Sequence, residues 1–179
     1  MRAAGAPAPR HRASVWLVTA VATVASTYTL EAVATAAGVA LAASGLLAGF
    51  GQPLLLGFLA ATYLAWAAGL RANLAANWSL LESTGSSTNL PSKAAHALAL
   101  ARGARPSTRR LAASAGYVVT ELAKELPYYT GAFGADLATD AVSTNDALVF
   151  LAGTNLGAAA YEYGVARATR TFLAVRRSR

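Results

Sequence analysis

The chain has no cysteine, which excludes disulfides, thiolate metal sites and cysteine nucleophiles and leaves the redox compartment undetermined. Charge is scarce as well. Only 13% of the 179 residues are charged, 55% are hydrophobic and the mean hydropathy is +0.41, whereas a soluble domain carries about a quarter charged residues. Composition therefore points to a membrane protein. Acidic residues are scarcest, eight against fifteen Lys and Arg.

Other absences narrow the function. No zinc-finger, RRM or basic-helix pattern accompanies the net charge of +7, so nucleic acid is not an expected partner. There is no HExxH, no Ser/His/Asp ordering, no dinucleotide fingerprint and no Walker lysine after Thr84-Gly85-Ser86-Ser87-Thr88; nothing argues for an enzyme, a cofactor or a metal. His11 and His96 are isolated, which assigns them to the surface. Asp136, Asp140 and Asp146 lack the glycine turn and terminal glutamate of a calcium loop and read as a solvated acidic link.

What is present is an ordered alternation of apolar runs and basic segments. Fourteen of the fifteen basic residues fall in an N-terminal arm (1–13), a middle segment (71–110) and a C-terminal tail (167–179), and the fifteenth is Lys124. Between them lie 14–70 and 111–166, each divided by a link without basic residues. Positive charge gathers on the cytoplasmic side of membranes. The pattern predicts an all-α bundle of four transmembrane helices in the cell membrane, with both termini and the central loop cytoplasmic and anionic headgroups as lipid partners. Phe50, Tyr128, Tyr129, Phe133 and Phe150 mark the outer interface, and Trp66, Tyr161 and Tyr163 the inner one.

The arm 1–13 reads as disordered. Residues 14–50 would be about 55 Å long as one helix, beyond the ~30 Å hydrocarbon core. They carry one charge, Glu31, and TYTLEAVAT around it offers no turn signal, so a single helix is favoured over a hairpin. Pro53 starts the second helix, which continues past Arg71 to Gly85. Ser92 is the expected N-cap of a short amphipathic cytoplasmic helix ending at Gly103. Lys93, on that helix, reads as exposed.

The third apolar segment holds the candidate chemistry. Glu121, Lys124 and Glu125 share one helical face, and intramembrane charges mark functional sites by default. Pro127 should kink the helix and free the carbonyl of Ala123. Counting rise from Leu111 and Ala166 puts Lys124 and Asn155 at similar depths and Glu162 level with Tyr117, near enough to the headgroups to snorkel. Glu121, Lys124, Glu125, Asn155 and Glu162 are thus candidates for an ion or proton pathway; otherwise the same stripe glues helices together, or the segment lies in the interface. Gly45-x-x-x-Gly49 and Gly153-x-x-x-Gly157 permit close helix packing, within the monomer or in a dimer.

The expected function is a non-enzymatic accessory or assembly subunit, packing with itself or with a larger membrane partner. A proton- or cation-conducting protein is the alternative, and an enzyme acting on lipid a weaker one. Whether the polar face of the third helix lines a path or is sealed separates the first two.

Overall fold

A computed structural model describes residues 9–127 and 142–178, with side chains over 13–123 and 142–178. Among the described residues the chain forms five helices and no strand: α1 Pro9–Ser44, α2 Gln52–Thr84, α3 Leu90–Ala101, α4 Pro106–Pro127 and α5 Thr144–Arg177. The all-helical expectation holds.

Local chemistry fixes most of the ends. α1 runs unbroken through Glu31 for 36 residues, about 54 Å, and begins inside the arm expected to be disordered. It stops before Gly45, which takes φ +67°, a left-handed conformation costly for residues with a Cβ. α2 starts behind Gly51 with proline in its first turn and ends at Gly85, also at φ +67°, whose N–H donates to the Leu81 carbonyl. The N-cap of α3 is Asn89 rather than Ser92: the Asn89 side chain accepts from the Ser92 amide at 2.9 Å. Placing the cap three residues earlier puts Pro91 in the first turn, where no N–H is needed. α5 is capped by Ser143, whose hydroxyl accepts from the Asp146 amide at 3.1 Å, and Arg176 and Arg177 complement the dipole of its last turn.

The three long helices pack through their smallest residues. α1 runs antiparallel to α5: Ser26 meets Tyr161, Gly157 lies against Val33, Ala34 and Ala37, and Gly153 against Ala37, Gly38 and Leu41. α2 runs parallel to α5, with Thr62 beside Asn155, Gly69 beside Ala159, and Asn73 beside Glu162. The shared core is thin, comprising Leu30 and Ala34 from α1, Trp66 from α2, and Ala158 and Ala159 from α5. α3 and α4 form a hairpin at the Gly85 end, where the backbone of Pro91 and Ser92 lies against Gly116. All the basic side chains that are described lie from the level of Arg71 toward this end, and the turn at Gly45–Gly51 and the start of α5 lie at the other.

Two helices, Ala13–Ser44 and Gln52–Thr84, are long and apolar enough to cross a membrane, and in their most apolar windows only 11% and 22% of residues are buried. The core helix of a soluble protein would be mostly buried. Leu17, Val18, Val21 and Val24 on α1 and Leu54, Leu56, Tyr63 and Leu64 on α2 face outward instead. α4 and α5 do not join them in this class, so the four expected spans reduce to two that meet the criterion. α4 carries ionisable residues along much of its length, and Asn155 and Glu162 interrupt the apolar run of α5.

The glycine motifs separate. A Cβ on Gly157 would sit 2.8 Å from the Val33 carbonyl and the Ala37 side chain, and one on Gly153 would sit 2.7 Å from the Ala37 carbonyl. Both glycines serve contacts within the chain. Gly45 and Gly49 lie beyond the end of α1, with nothing within 4 Å of either Cβ position, so the expected helix seam at that pair is not formed in the monomer. Gly157→Ala should accordingly destabilise the fold by about 1–3 kcal/mol through overpacking, whereas Gly164→Ala, with open space around it, should be neutral or stabilising by up to about 1 kcal/mol. Denaturation of both variants in detergent compares them.

Candidate functional site

Asn73, Tyr117 and Glu162, three of the most deeply buried polar side chains, gather where α2, α4 and α5 meet. Absence of a side chain at Gly69 brings α2 against Ala159 and Glu162 of α5, and Asn73 follows one turn later on the same face. Its Nδ2 donates to Glu162 Oε2 at 2.5 Å and to the Tyr117 hydroxyl at 2.7 Å. Asn73, Tyr117 and Glu162 are 0%, 2% and 1% exposed. On α4 the buried positions Ala113, Tyr117 and Glu121 recur every four residues and form its inward stripe. Glu121 and Glu162 both lie within electrostatic reach of the Tyr117 hydroxyl. On the far side, Tyr161 shares a 2.6 Å hydrogen bond with Ser26 of α1. The cluster thus ties α1, α2, α4 and α5 at one level.

A second polar layer lies one turn farther toward the Gly85 end. Asn77 Oδ1 accepts from Ser87 Oγ at 2.6 Å and from the Thr88 amide at 3.4 Å, while its Nδ2 donates to Ser92 Oγ at 2.9 Å. One amide therefore stitches the 85–92 loop to α2. Asn77 is buried by these contacts, whereas Ser79, two residues on, is exposed. Thr23 Oγ1 on α1 accepts from the Leu90 amide at 2.7 Å.

Lys93 belongs to the same layer, contrary to its expected exposure. Only 5% of it is exposed; Nζ donates to the Val15 carbonyl at 3.1 Å and to Thr19 Oγ1 at 3.2 Å, and it lies 4.7 Å from the centroid of the Trp16 ring. Three directions of donation meet two oxygens and one aromatic face. Burial pushes the ammonium below its ordinary value of 10.5. His96 is likewise buried rather than superficial, with Nε2 3.3 Å from Glu82 Oε1 and its ring edge-on to Trp78, while Arg109 approaches Glu82 at 3.9 Å.

The expected pathway residues are only partly united. Glu162 lies level with Tyr117, as the depth count implied, and Glu121 is also near that tyrosine, but Glu162 is enclosed and does not snorkel. Asn155 donates to Thr62 on α2 at 3.5 Å. The side chains of Lys124, Glu125 and Pro127 lie outside the described residues, as do Asp136 and Asp140. The residues missed were Asn73, Asn77 and Lys93. Gly69, Asn73 and Asn77 repeat at intervals of four, and that stripe of one small and two amide residues was the available signal.

Chemically the cluster is a buried hydrogen-bond network in which Asn73 Oδ1 is enclosed without a hydrogen-bond partner among the described residues. Among the described residues no group of three or more His, Cys, Asp or Glu converges to hold a metal ion. One groove of about 610 Å³, lined by Leu56, Leu59, Tyr63, Leu64, Leu151 and Asn155, and another of about 360 Å³ beside Ala37, Leu41 and Leu156, lie toward the Gly45 end and are almost wholly apolar. Comparison with known proteins gives no match to any family model, curated protein or solved structure.

Two outcomes follow from this geometry. Asn73→Ala removes the donor shared by Glu162 and Tyr117 and should cost about 2–3 kcal/mol, against a few tenths for Ser79→Ala on the exposed face; chemical denaturation in detergent measures both. For Lys93, the folded chain releases its proton below 10.5 and the unfolded chain near 10.5, so just below 10.5 the unfolded state binds more protons. Stability should therefore rise with pH through that window and level off above it. Lys93→Met should flatten this rise, as read from melting temperature against pH.

Proposed function

We propose that this protein is a small multi-pass membrane protein whose role is accessory: it packs beside a membrane partner and organises it, without conducting a solute itself. Four spans, with both termini and the 71–110 segment cytoplasmic, are part of this proposal. Support for the orientation comes from the sorting of basic side chains to the Gly85 end and from the antiparallel relation of α1 to α2 and α5.

The observation that carries the functional reading is the burial of the described polar side chains where α2, α4 and α5 meet. A conducting path needs water or exchangeable ligands along its ionisable groups. Tyr117, Glu121, Asn73 and Glu162 are each 3% exposed or less, and the grooves described touch the polar residues only at Asn155. The large outward apolar area of α1 and α2, with little mass outside the helices, suits lateral association.

Two measurements test the proposal. Single cysteines at Ser14, Ser107, Thr144 and Ser178 in intact cells should react with an impermeant maleimide at the Thr144 site alone; reaction at Ser107 overturns the orientation. In proteoliposomes the parent chain should give no proton, sodium or potassium flux above empty vesicles. A flux abolished by Glu121→Gln or Glu162→Gln would replace the accessory reading with the conducting one.

A further inference from the structure

Glu31 is the one charge in the apolar part of α1, and its position there is unusual. It lies 13 residues before Ser44, about 20 Å from that end of the helix, which is well inside a hydrocarbon core of ~30 Å when α1 spans with Ser44 near one interface. The neighbouring inward positions Leu30 and Ala34 are buried against α2 and α5, whereas Glu31 is exposed. No hydrogen bond or ion pair reaches it from the described residues. A carboxylate on the lipid-facing side of a span is among the most costly side chains to place, and such groups ordinarily face a bundle interior or a partner.

The residues around it form a surface. Leu17, Val21, Val24, Tyr28 and Glu31 are spaced 4, 3, 4 and 3 apart, the interval that keeps residues on one side of a helix meeting another helix. Leu17, Val21, Val24 and Tyr28 are 67%, 61%, 57% and 69% exposed. The opposite side of the same stretch, Thr19, Thr23, Ser26 and Leu30, is occupied by α3, the 85–90 loop, Tyr161 and the core. This leaves α1 with one satisfied face and one apolar face ending in an acid that is unpaired among the described residues.

We propose that the Val24–Glu31 part of this face is the docking surface for a transmembrane helix of the partner, with Leu17 and Val21 continuing it beyond the ~30 Å hydrocarbon core, and that the partner presents a basic side chain, Arg or Lys, to Glu31. The proposal rests on the accessory, membrane-spanning reading and adds to it the surface used and the chemistry received. Charge complementarity favours this occupant over a second copy of the chain, because a two-fold contact through the same face would bring two Glu31 carboxylates together.

Absence of native cysteine permits a clean test. The full chain, labelled with a donor fluorophore at Ser178→Cys, is reconstituted in phosphatidylcholine vesicles with acceptor-labelled synthetic transmembrane peptides of leucine and alanine carrying either Arg or Leu at the centre. Energy transfer should show the Arg peptide binding about 3- to 10-fold more tightly than the Leu peptide. Glu31→Leu, which extends the apolar stripe, should reduce the ratio to about one, and Glu31→Gln, which keeps only hydrogen bonding, should fall between. Equal binding of both peptides by the parent chain, or an Arg preference that survives Glu31→Leu, overturns the proposal. Stronger association between two copies of the chain than with either peptide, lost in Glu31→Leu, overturns it in favour of self-association. Glu31→Cys in the same vesicles should resist a water-soluble maleimide; ready reaction would remove the membrane placement itself, whereas a protected cysteine with equal peptide binding would remove only the docking surface.

Discussion

The contact of Gly69 with Ala159 and Glu162 sets the geometry on which the polar interior depends. Only where α2 lacks a side chain can it approach α5 closely enough for Asn73, one turn later, to put a single amide nitrogen between Glu162 and Tyr117. If α2 were displaced by the width of a methyl group, a buried carboxylate and a buried phenol would lose a shared donor, at a cost comparable to a large share of ordinary fold stability. Small-residue packing and polar pairing are thus one constraint. The glycine positions the helix axially and radially, and the amide converts that position into a specific register.

The same logic extends along the helices. Gly153 and Gly157 bring α1 to the opposite side of α5, so that Ser26 reaches Tyr161; Gly116 lets α4 contact the start of α3, so that Tyr117 reaches the cluster. Between these contacts the core is mainly alanine, which buries little area per residue. Close approach replaces bulk: more backbone and Cβ atoms come into van der Waals contact, and dispersion gained across the seam does not depend on expelling water. Such packing suits a chain whose outer surfaces are as apolar as its interior.

How much of this was legible depended on which coordinate a residue pattern encodes. Helix existence and several ends were readable because long apolar runs, Pro53 and Gly85 act locally. Axial depth was also readable, since rise per residue is fixed; counting it put Glu162 level with Tyr117 before any contact was known. Azimuth was not. Nothing in the local sequence says that Asn155 turns toward Thr62 or that Lys93 folds back onto Val15, Thr19 and Trp16. Lys93 read as a solvated loop charge because its acceptors lie more than seventy residues away. The Asn89 cap displaced the expected Ser92 cap for a related reason: the Ser92 hydroxyl is engaged by Asn77, a tertiary partner that a local capping rule does not contain. Gly45 forms no seam within the chain, because a GxxxG spacing serves helix packing only while the helix continues, and Gly45 itself ends α1.

These distinctions bear on what the buried carboxylates do. An ionisable residue in an apolar segment is either used or enclosed, and the difference lies in its neighbours. Glu162 is held by an amide from α2 and packed beneath Gly69, and Glu121 sits under the same tyrosine. A buried network of this kind favours one arrangement of the helices, because sliding any of them would separate Asn73 from Glu162 and Tyr117. Buried polar groups are best attested in exactly that registry role. Glu31 presents the opposite case on the same chain, the same chemistry without enclosure. Enclosed acids specify how the chain packs with itself, whereas Glu31 stands exposed on the outer face of α1 and takes no part in that packing among the described residues.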